Sequence, residues 1–384
     1  MPPRASRLEG LGTTIFTEMT ALAQRTGAIN LGQGFPDTDG PAPVIDAAIA
    51  ALRGGENQYA PLGGVPSLRE AVVEHQRSYY GLDPEDVQVT FGATEAIAAA
   101  LLGLLNSGDE VVVLEPYYDS YAACIAFAGA WRRPVTLRPP EFALDIDELY
   151  AAAGPRARVM LLNTPHNPTG RVLSREELEA IARVCIERDL VCLSDEVYEH
   201  LVYDGEHIPI ATLPGMADRT LTISSVGKSF SFTGWKIGWC SGAAELVAAV
   251  RAVKQYLTFA GGTPLQHAAA AALRLPSVYL EELRDGLRSK RDLLCSGLAD
   301  AGLQPLIPAG TYFVNADVGT DSVAFCAALP ARCGVAAIPT SVFYDDAAAA
   351  RTLVRFAFCK REEVIAEAAR RLGTLEEKRA AREG

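Results

Sequence analysis

Positive charge is scarce in this chain, and that scarcity excludes more than any other feature of its composition. With 35 Lys and Arg against 47 Asp and Glu, the 384 residues carry a net charge of -12. Nucleic-acid binders and membrane-surface proteins rely on basic patches, so neither class of partner is expected. Histidine is also sparse, at five residues with no zinc-ligand spacing. The eight cysteines include no CxxC pair and sit among apolar neighbours, which predicts reduced thiols in a core rather than a disulfide framework. No stretch approaches the ~18 apolar residues of a membrane span, and Met1 to Leu11 lacks the apolar run of a signal peptide. A cytoplasmic location is expected.

What is present is a rhythm of short apolar runs and helical patterns. Runs at Val87–Phe91, Glu110–Leu114, Val159–Leu162, Leu190–Leu193 and Leu221–Ile223 are apolar almost throughout, as strands buried on both faces are. Between two of them Ser174 and Glu177 form a capping box ahead of an apolar face made by Leu178, Ile181, Ala182 and Cys185. The fold class is therefore α/β, a mostly parallel sheet sandwiched by helices. A charged helical stretch over Val278–Arg291 leads to a second lobe, and the tail from Leu375 to Gly384 is expected to fray.

Each run is followed by a polar or glycine-bearing cluster. These are Gly92-Ala93-Thr94, Pro116-Tyr117-Tyr118, Asn163 to Gly170, Asp195 to Tyr198, and Ser225 to Lys228. Parallel strands bring their carboxyl ends to one edge, so the five clusters should meet in a single crevice.

Their chemistry suits a pyridoxal phosphate site. Lys228 supplies an amine for covalent capture of an aldehyde, and Asp195 an acid that keeps the ring nitrogen protonated. Asn167 and Tyr198 can hydrogen-bond the phenolate oxygen. Gly92, Ala93 and Thr94 at a helix start, with Ser225 and Lys236, suit a phosphate. Tyr118 can stack on the ring, with Tyr117 or Tyr121 as alternatives. Arg355, within an apolar run, can grip a carboxylate as a two-pronged fork. Each residue has a plainer explanation when taken alone. Lysines are mostly solvated, Asp195 can cap a helix, Asn-Pro-Thr-Gly makes a good turn, and Arg355 can sit in an internal ion pair.

Taken together, and joined by Asn30 to Asp37, Asn57-Gln58-Tyr59, Gly63 to Arg69 and Thr233 to Trp239, these motifs closely resemble the class I/II aminotransferases of fold type I. Within that family they look most like the branch of N-succinyldiaminopimelate and kynurenine/glutamine aminotransferases. The resemblance implies a pyridoxal phosphate-binding domain over 46–285, a smaller α/β C-terminal domain over 286–384, and an arm over 1–45 that also contributes to the smaller domain. It implies a ping-pong transfer of an amino group from an L-amino acid to 2-oxoglutarate or pyruvate, with cysteine-conjugate β-elimination as the alternative. It further implies a homodimer in which Tyr59 reaches the neighbouring subunit's cofactor phosphate, and Gly34, Asn167 and Arg355 bind substrate. Lys236 stands where aspartate aminotransferases carry an arginine, and no second arginine for a distal carboxylate is evident. Both features point away from aspartate as donor. Thr14 to Met19 and Gly261 to Thr263 are expected to set donor choice.

Overall fold

The structure, a computed structural model, describes residues 5–10 and 12–383, without the side chains of residue 6 and of residues 376–383. Seven strands make its central sheet: β1 (Asp86–Thr90), β2 (Glu110–Glu115), β3 (Trp131–Thr136), β4 (Ala157–Asn163), β5 (Val191–Asp195), β6 (Thr220–Ser225) and β7 (Gly238–Gly242). Their spatial order is β1-β7-β6-β5-β4-β2-β3. Neighbours pair in parallel except around β7, which runs antiparallel to both β1 and β6. The remaining six strands therefore share one direction, and their carboxyl ends lie along one edge.

Strands β2, β4 and β5 are mostly apolar because both faces are covered, while β6, equally buried, alternates Leu221 and Ile223 with Thr and Ser. Val111, Val113, Leu161 and Leu193 pack into one helix-covered cluster, and Val112, Met160, Leu162 and Cys192 into the other. The five expected strands are all present, shifted at their ends by one or two residues. Two strands have no apolar run to announce them. Edge strand β3 reads Trp-Arg-Arg-Pro-Val-Thr and is largely exposed over its first half, while β7 reads Gly-Trp-Cys-Ser-Gly. The capping box at Ser174 opens the helix Arg175–Glu187 as expected. All eight cysteines are free thiols.

A second sheet of four antiparallel strands contains β8 (Gln304–Leu306), β9 (Phe313–Asp317), β10 (Ile338–Pro339) and β11 (Leu353–Ala357), in the order β10-β11-β9-β8. The helix expected over Val278–Arg291 is longer, Ser277–Asp300, and runs unbroken from one sheet's surroundings to the other's. Near the start of the chain, Ile29–Asn30 pairs in parallel with Val335–Ala336 in a third sheet of two strands, just ahead of β10 in the chain, which ties the first segment to the C-terminal part of the molecule. The last helix spans Glu362–Glu383, and the expectation of a frayed tail falls, beyond Leu375, on side chains and a final residue outside those described.

Candidate active site

A cavity of about 400 Å³ opens where the carboxyl edge of the central sheet meets the second sheet. Of the site residues expected from the sequence, Gly34, Gly92, Ala93, Thr94, Tyr118, Asn167, Asp195, Tyr198, Ser225, Lys228, Lys236 and Arg355 all line it. Tyr59 does not. It is 79% exposed on the surface, edge-on to Phe259.

Asp195 is the last residue of β5, in register with Asn163 on one side and Ile223 on the other. It caps no helix: Oδ2 accepts from the Tyr121 hydroxyl at 2.6 Å, and Oδ1 accepts from the Val197 N–H at 3.4 Å. Burial pushes its carboxyl up to about 6, with the bonds from Tyr121 and Val197 and the charge on Lys228 pulling the other way. Asn163 fastens this corner. Its Nδ2 donates to the Asp195 carbonyl and its Oδ1 accepts from the Asn167 N–H, both at 2.8 Å, so one side chain holds the acid's backbone and the start of the Asn-Pro-Thr-Gly turn.

Lys228 lies in the short turn of helix Val226–Ser229 that follows β6, with Ser225 as its N-cap. Among the described residues its amine donates only to the Gly34 carbonyl, at 3.5 Å, and it lies 5.8 Å from the ring centres of Tyr198 and Tyr312. Burial draws it down to about 8, Lys236 and Arg355 push the same way, and Cys359 and Asp195 oppose. The result is an amine that is neutral part of the time near neutral pH, as a nucleophile and base requires.

The third component is a cradle built from backbone. Gly92, at φ +72°, opens the helix Gly92–Leu104, whose first-turn N–H groups have no partner inside the helix. A Cβ on Gly238 would lie 2.6 Å from the Gly92 carbonyl carbon, and one on Gly92 would lie 3.1 Å from Lys236 Nζ. Space for an anion there exists because both positions are glycine. Lys236 reaches this point because β7 runs antiparallel and so begins at the edge where the other strands end.

Arg355 is the fourth component, 1% exposed on β11 and opposite Asn315. No carboxylate pairs with it among the described residues, so it is not the internal ion pair that its burial allowed. Nη1 donates to Asn167 Oδ1 at 3.1 Å, Nη2 to the Gly32 carbonyl at 3.0 Å, and the buried Nε has no partner. Phe313, Phe343 and Phe16 surround it at 4.0, 4.9 and 5.4 Å. Burial pulls the guanidinium down to about 10.

These groups fit pyridoxal phosphate. The cradle of N–H groups and Lys236 suits its phosphate, Asp195 its ring nitrogen, and Lys228 its aldehyde. The site also holds residues that the sequence reading left without this role. Tyr121 bonds the acid rather than offering a stacking face, and Tyr312, in the core behind the lining, donates from its hydroxyl to the Gly34 carbonyl at 2.6 Å and packs edge-on to Tyr198. Tyr121 was findable as a helical neighbour three positions after Tyr118, whereas Asn163 and Tyr312 carry no signal beyond their neighbouring motifs. Phe16, from the Thr14 to Met19 segment, lines the cavity, but Gly261 to Thr263 do not.

Comparison with known proteins agrees with this chemistry. The family Aminotransferase class I and II matches over residues 26–372. A probable N-succinyldiaminopimelate aminotransferase of Mycobacterium tuberculosis is 52% identical, covering 97% of this chain and 98% of that protein. The methionine aminotransferase of Escherichia coli is 42% identical over 96% of this chain and 98% of its own length. Among solved structures, the M. tuberculosis N-succinyldiaminopimelate aminotransferase superposes with a TM-score of 0.95 over 97% of this chain and 100% of that one. An aspartate aminotransferase of Thermus thermophilus, 35% identical, does so with 0.90 over 98% and 100%. The chain belongs to the class I and II aminotransferases, pyridoxal phosphate-dependent transaminases of fold type I.

Proposed function

We propose that this transaminase takes its amino group from a donor of the N-succinyldiaminopimelate type, in a biosynthetic role in the cytoplasm, with 2-oxoglutarate or pyruvate as acceptor. The observation that carries this reading is the 52% identity, nearly end to end, with a probable N-succinyldiaminopimelate aminotransferase, and the make-up of the cavity wall adds a point against aspartate. Arg355 is the wall's only arginine among the described residues, and Phe16, Phe35 and Phe232 add aromatic surface to a lining that also holds Gln33, Thr233 and Ile237. One guanidinium serves the carboxylate common to all amino acids, and no second one favours a short dicarboxylate. The names carried by the most similar relatives support the same donor class, and kynurenine, glutamine and methionine are its competitors.

When bound, pyridoxal phosphate supplies an aldehyde that captures amino groups and a ring that accepts the electron pair left when the α-proton departs. The protein supplies everything around that event. Asp195 keeps the ring nitrogen protonated, and Tyr121 and Asn163 keep Asp195 in place. Asn167 and Tyr198 donate to the phenolate oxygen, and Tyr118 covers a ring face. Gly92, Ala93, Thr94, Ser225 and Lys236 hold the phosphate. Arg355, with Gly34 and Asn167 beside it, orients the donor carboxylate so that the α-hydrogen faces Lys228 Nζ, which takes the proton. Tyr59, exposed on the surface, is assigned to the phosphate of a neighbouring subunit in a homodimer. The division into an arm (1–45), a cofactor-binding domain (46–285) and a smaller domain (286–384) belongs to the same proposal, and the separation of the seven-stranded sheet from the four-stranded one supports it.

The test is a panel of amino donors mixed singly with the loaded enzyme, with the loss of cofactor absorbance timed in a single turnover. N-succinyldiaminopimelate should react fastest. Fastest reaction with aspartate would sink the proposal.

A further inference from the structure

Two of the five histidines meet outside the cavity. His75, on the helix Pro66–Tyr80, and His200, which closes the segment begun by Asp195, bring their Nε2 atoms to 2.8 Å. Glu199 adds a carboxylate, and the three ligand atoms lie within 4.8 Å of one another. His75 and Glu199 are 5% and 9% exposed, and His200 is half-buried.

The charges here do not close. Glu199 accepts from Ser224 Oγ at 2.8 Å and has no lysine or arginine partner among the described residues. A second buried acid, Glu196, is met among the described residues by the Ser194 hydroxyl at 2.7 Å and His207 Nε2 at 2.8 Å. Two acids thus lie buried without a permanent cation, where a carboxylate is costly unless paired or bound to a metal. The two facing Nε2 atoms can hold one hydrogen between them, so at least one lone pair already points into the cluster.

We propose that His75, Glu199 and His200 bind a single zinc ion, with water completing the coordination on the His200 side. Two imidazoles and one carboxylate suit zinc, and discriminate against the oxygen-seeking magnesium and calcium. Ligand atoms about 2.1 Å from a tetrahedral ion lie roughly 3.4 Å apart, so the two nitrogens must part by about 0.6 Å and the carboxylate must draw in by about 1.4 Å at most. Rotation of the side chains supplies both movements. The site is joined to the catalytic one along the chain. Glu199 and His200 directly follow Tyr198, and Ser224, which holds Glu199, precedes Ser225. Zinc would therefore stiffen the segment from Asp195 to His200 from behind the cavity.

The experiment uses cofactor-loaded enzyme dialysed against a chelator, then titrated with zinc chloride in competition with a chromophoric chelator. One ion per chain is expected, with a rise of a few degrees in melting temperature at saturation. His75→Ala and His200→Ala should each weaken binding by roughly 100-fold or more, since removing a ligand outweighs the 10- to 100-fold typical of outer partners. Cobalt titration of the unaltered enzyme keeps the test independent of variant folding, and should give ligand-field bands without thiolate charge transfer. Absence of stoichiometric uptake, equal uptake by the folded variants, or a thiolate band placing the ion on cysteine would each overturn the site.

Discussion

Lys254 and Lys228 are both withdrawn from solvent, and the molecule treats them in opposite ways. Lys254, 3% exposed on the helix Ala244–Leu257, meets Glu95 Oε2 at 3.2 Å and the Thr258 hydroxyl at 2.7 Å. Lys228 meets a single carbonyl at 3.5 Å. Two arginines repeat the contrast. Buried Arg291 is gripped by Asp204 and Asp292 at 2.7 and 2.8 Å, whereas Arg355 touches an amide oxygen and a carbonyl and leaves Nε without a partner. In the packed regions each of these cations has its carboxylate. In the cavity that partner is withheld, so charge and reactivity remain for anions and aldehydes that arrive from outside.

If the contrast is sound, removing the cavity cations should cost chemistry and removing the paired ones should cost stability. The largest effect belongs to Lys228→Ala, expected to lower the rate of donor deprotonation by roughly 10⁴-fold. Borohydride reduction should then no longer attach a pyridoxyl group at position 228. A variant turning over at the parental rate would remove Lys228 from the chemistry. Next, Arg355→Ala should lower kcat/KM by about 10² to 10³-fold for every donor, because it withdraws a buried carboxylate partner worth about 2–5 kcal/mol. Loss confined to one donor would assign Arg355 to side-chain selection instead.

Lys254→Met should leave kcat near the parental value while destabilising the fold by about 3 kcal/mol in urea, the cost of a buried acid left unpaired. Collapse of kcat with stability retained would erase the distinction. The smallest effect concerns Lys228 in the apoenzyme. Its amine is drawn down from 10.5 to about 8, so the unfolded chain holds a proton that the folded chain releases between those values. Folded stability therefore rises with pH across that window and is reduced below it. Apo Lys228→Met should be more stable than the parent at pH 7 by about 1–2 kcal/mol, and the gap should close as pH approaches 10.5. A gap independent of pH would mean that the amine is not penalised by burial.

The sequence made the middle of the fold legible because strands covered on both faces must be apolar, and Val111 to Leu114 or Leu190 to Leu193 admit few other readings. It was silent on β7, where glycines fill the strand because helix and sheet backbones approach closely there. Most of the candidate site could be read for a related reason, since polar clusters directly after buried strands have few structural uses and several chemical ones. Its fastenings could not. The Tyr121 bond to Asp195 and the double role of Asn163 are contacts between elements, fixed by register and helix placement, and no spacing within the chain encodes them. The histidine cluster stayed hidden for the same reason, because His75 and His200 are brought together only by folding.

The close approach of Gly238 to Gly92 has a practical corollary for anyone wishing to retarget this catalyst. Recognition on that side is written in main-chain geometry, which substitution can break but not retune. Phe16, Phe35 and Phe232 line the same cavity through their side chains. Diversity for new donors belongs on those three positions, and positions 92 and 238 are best left unaltered in any library.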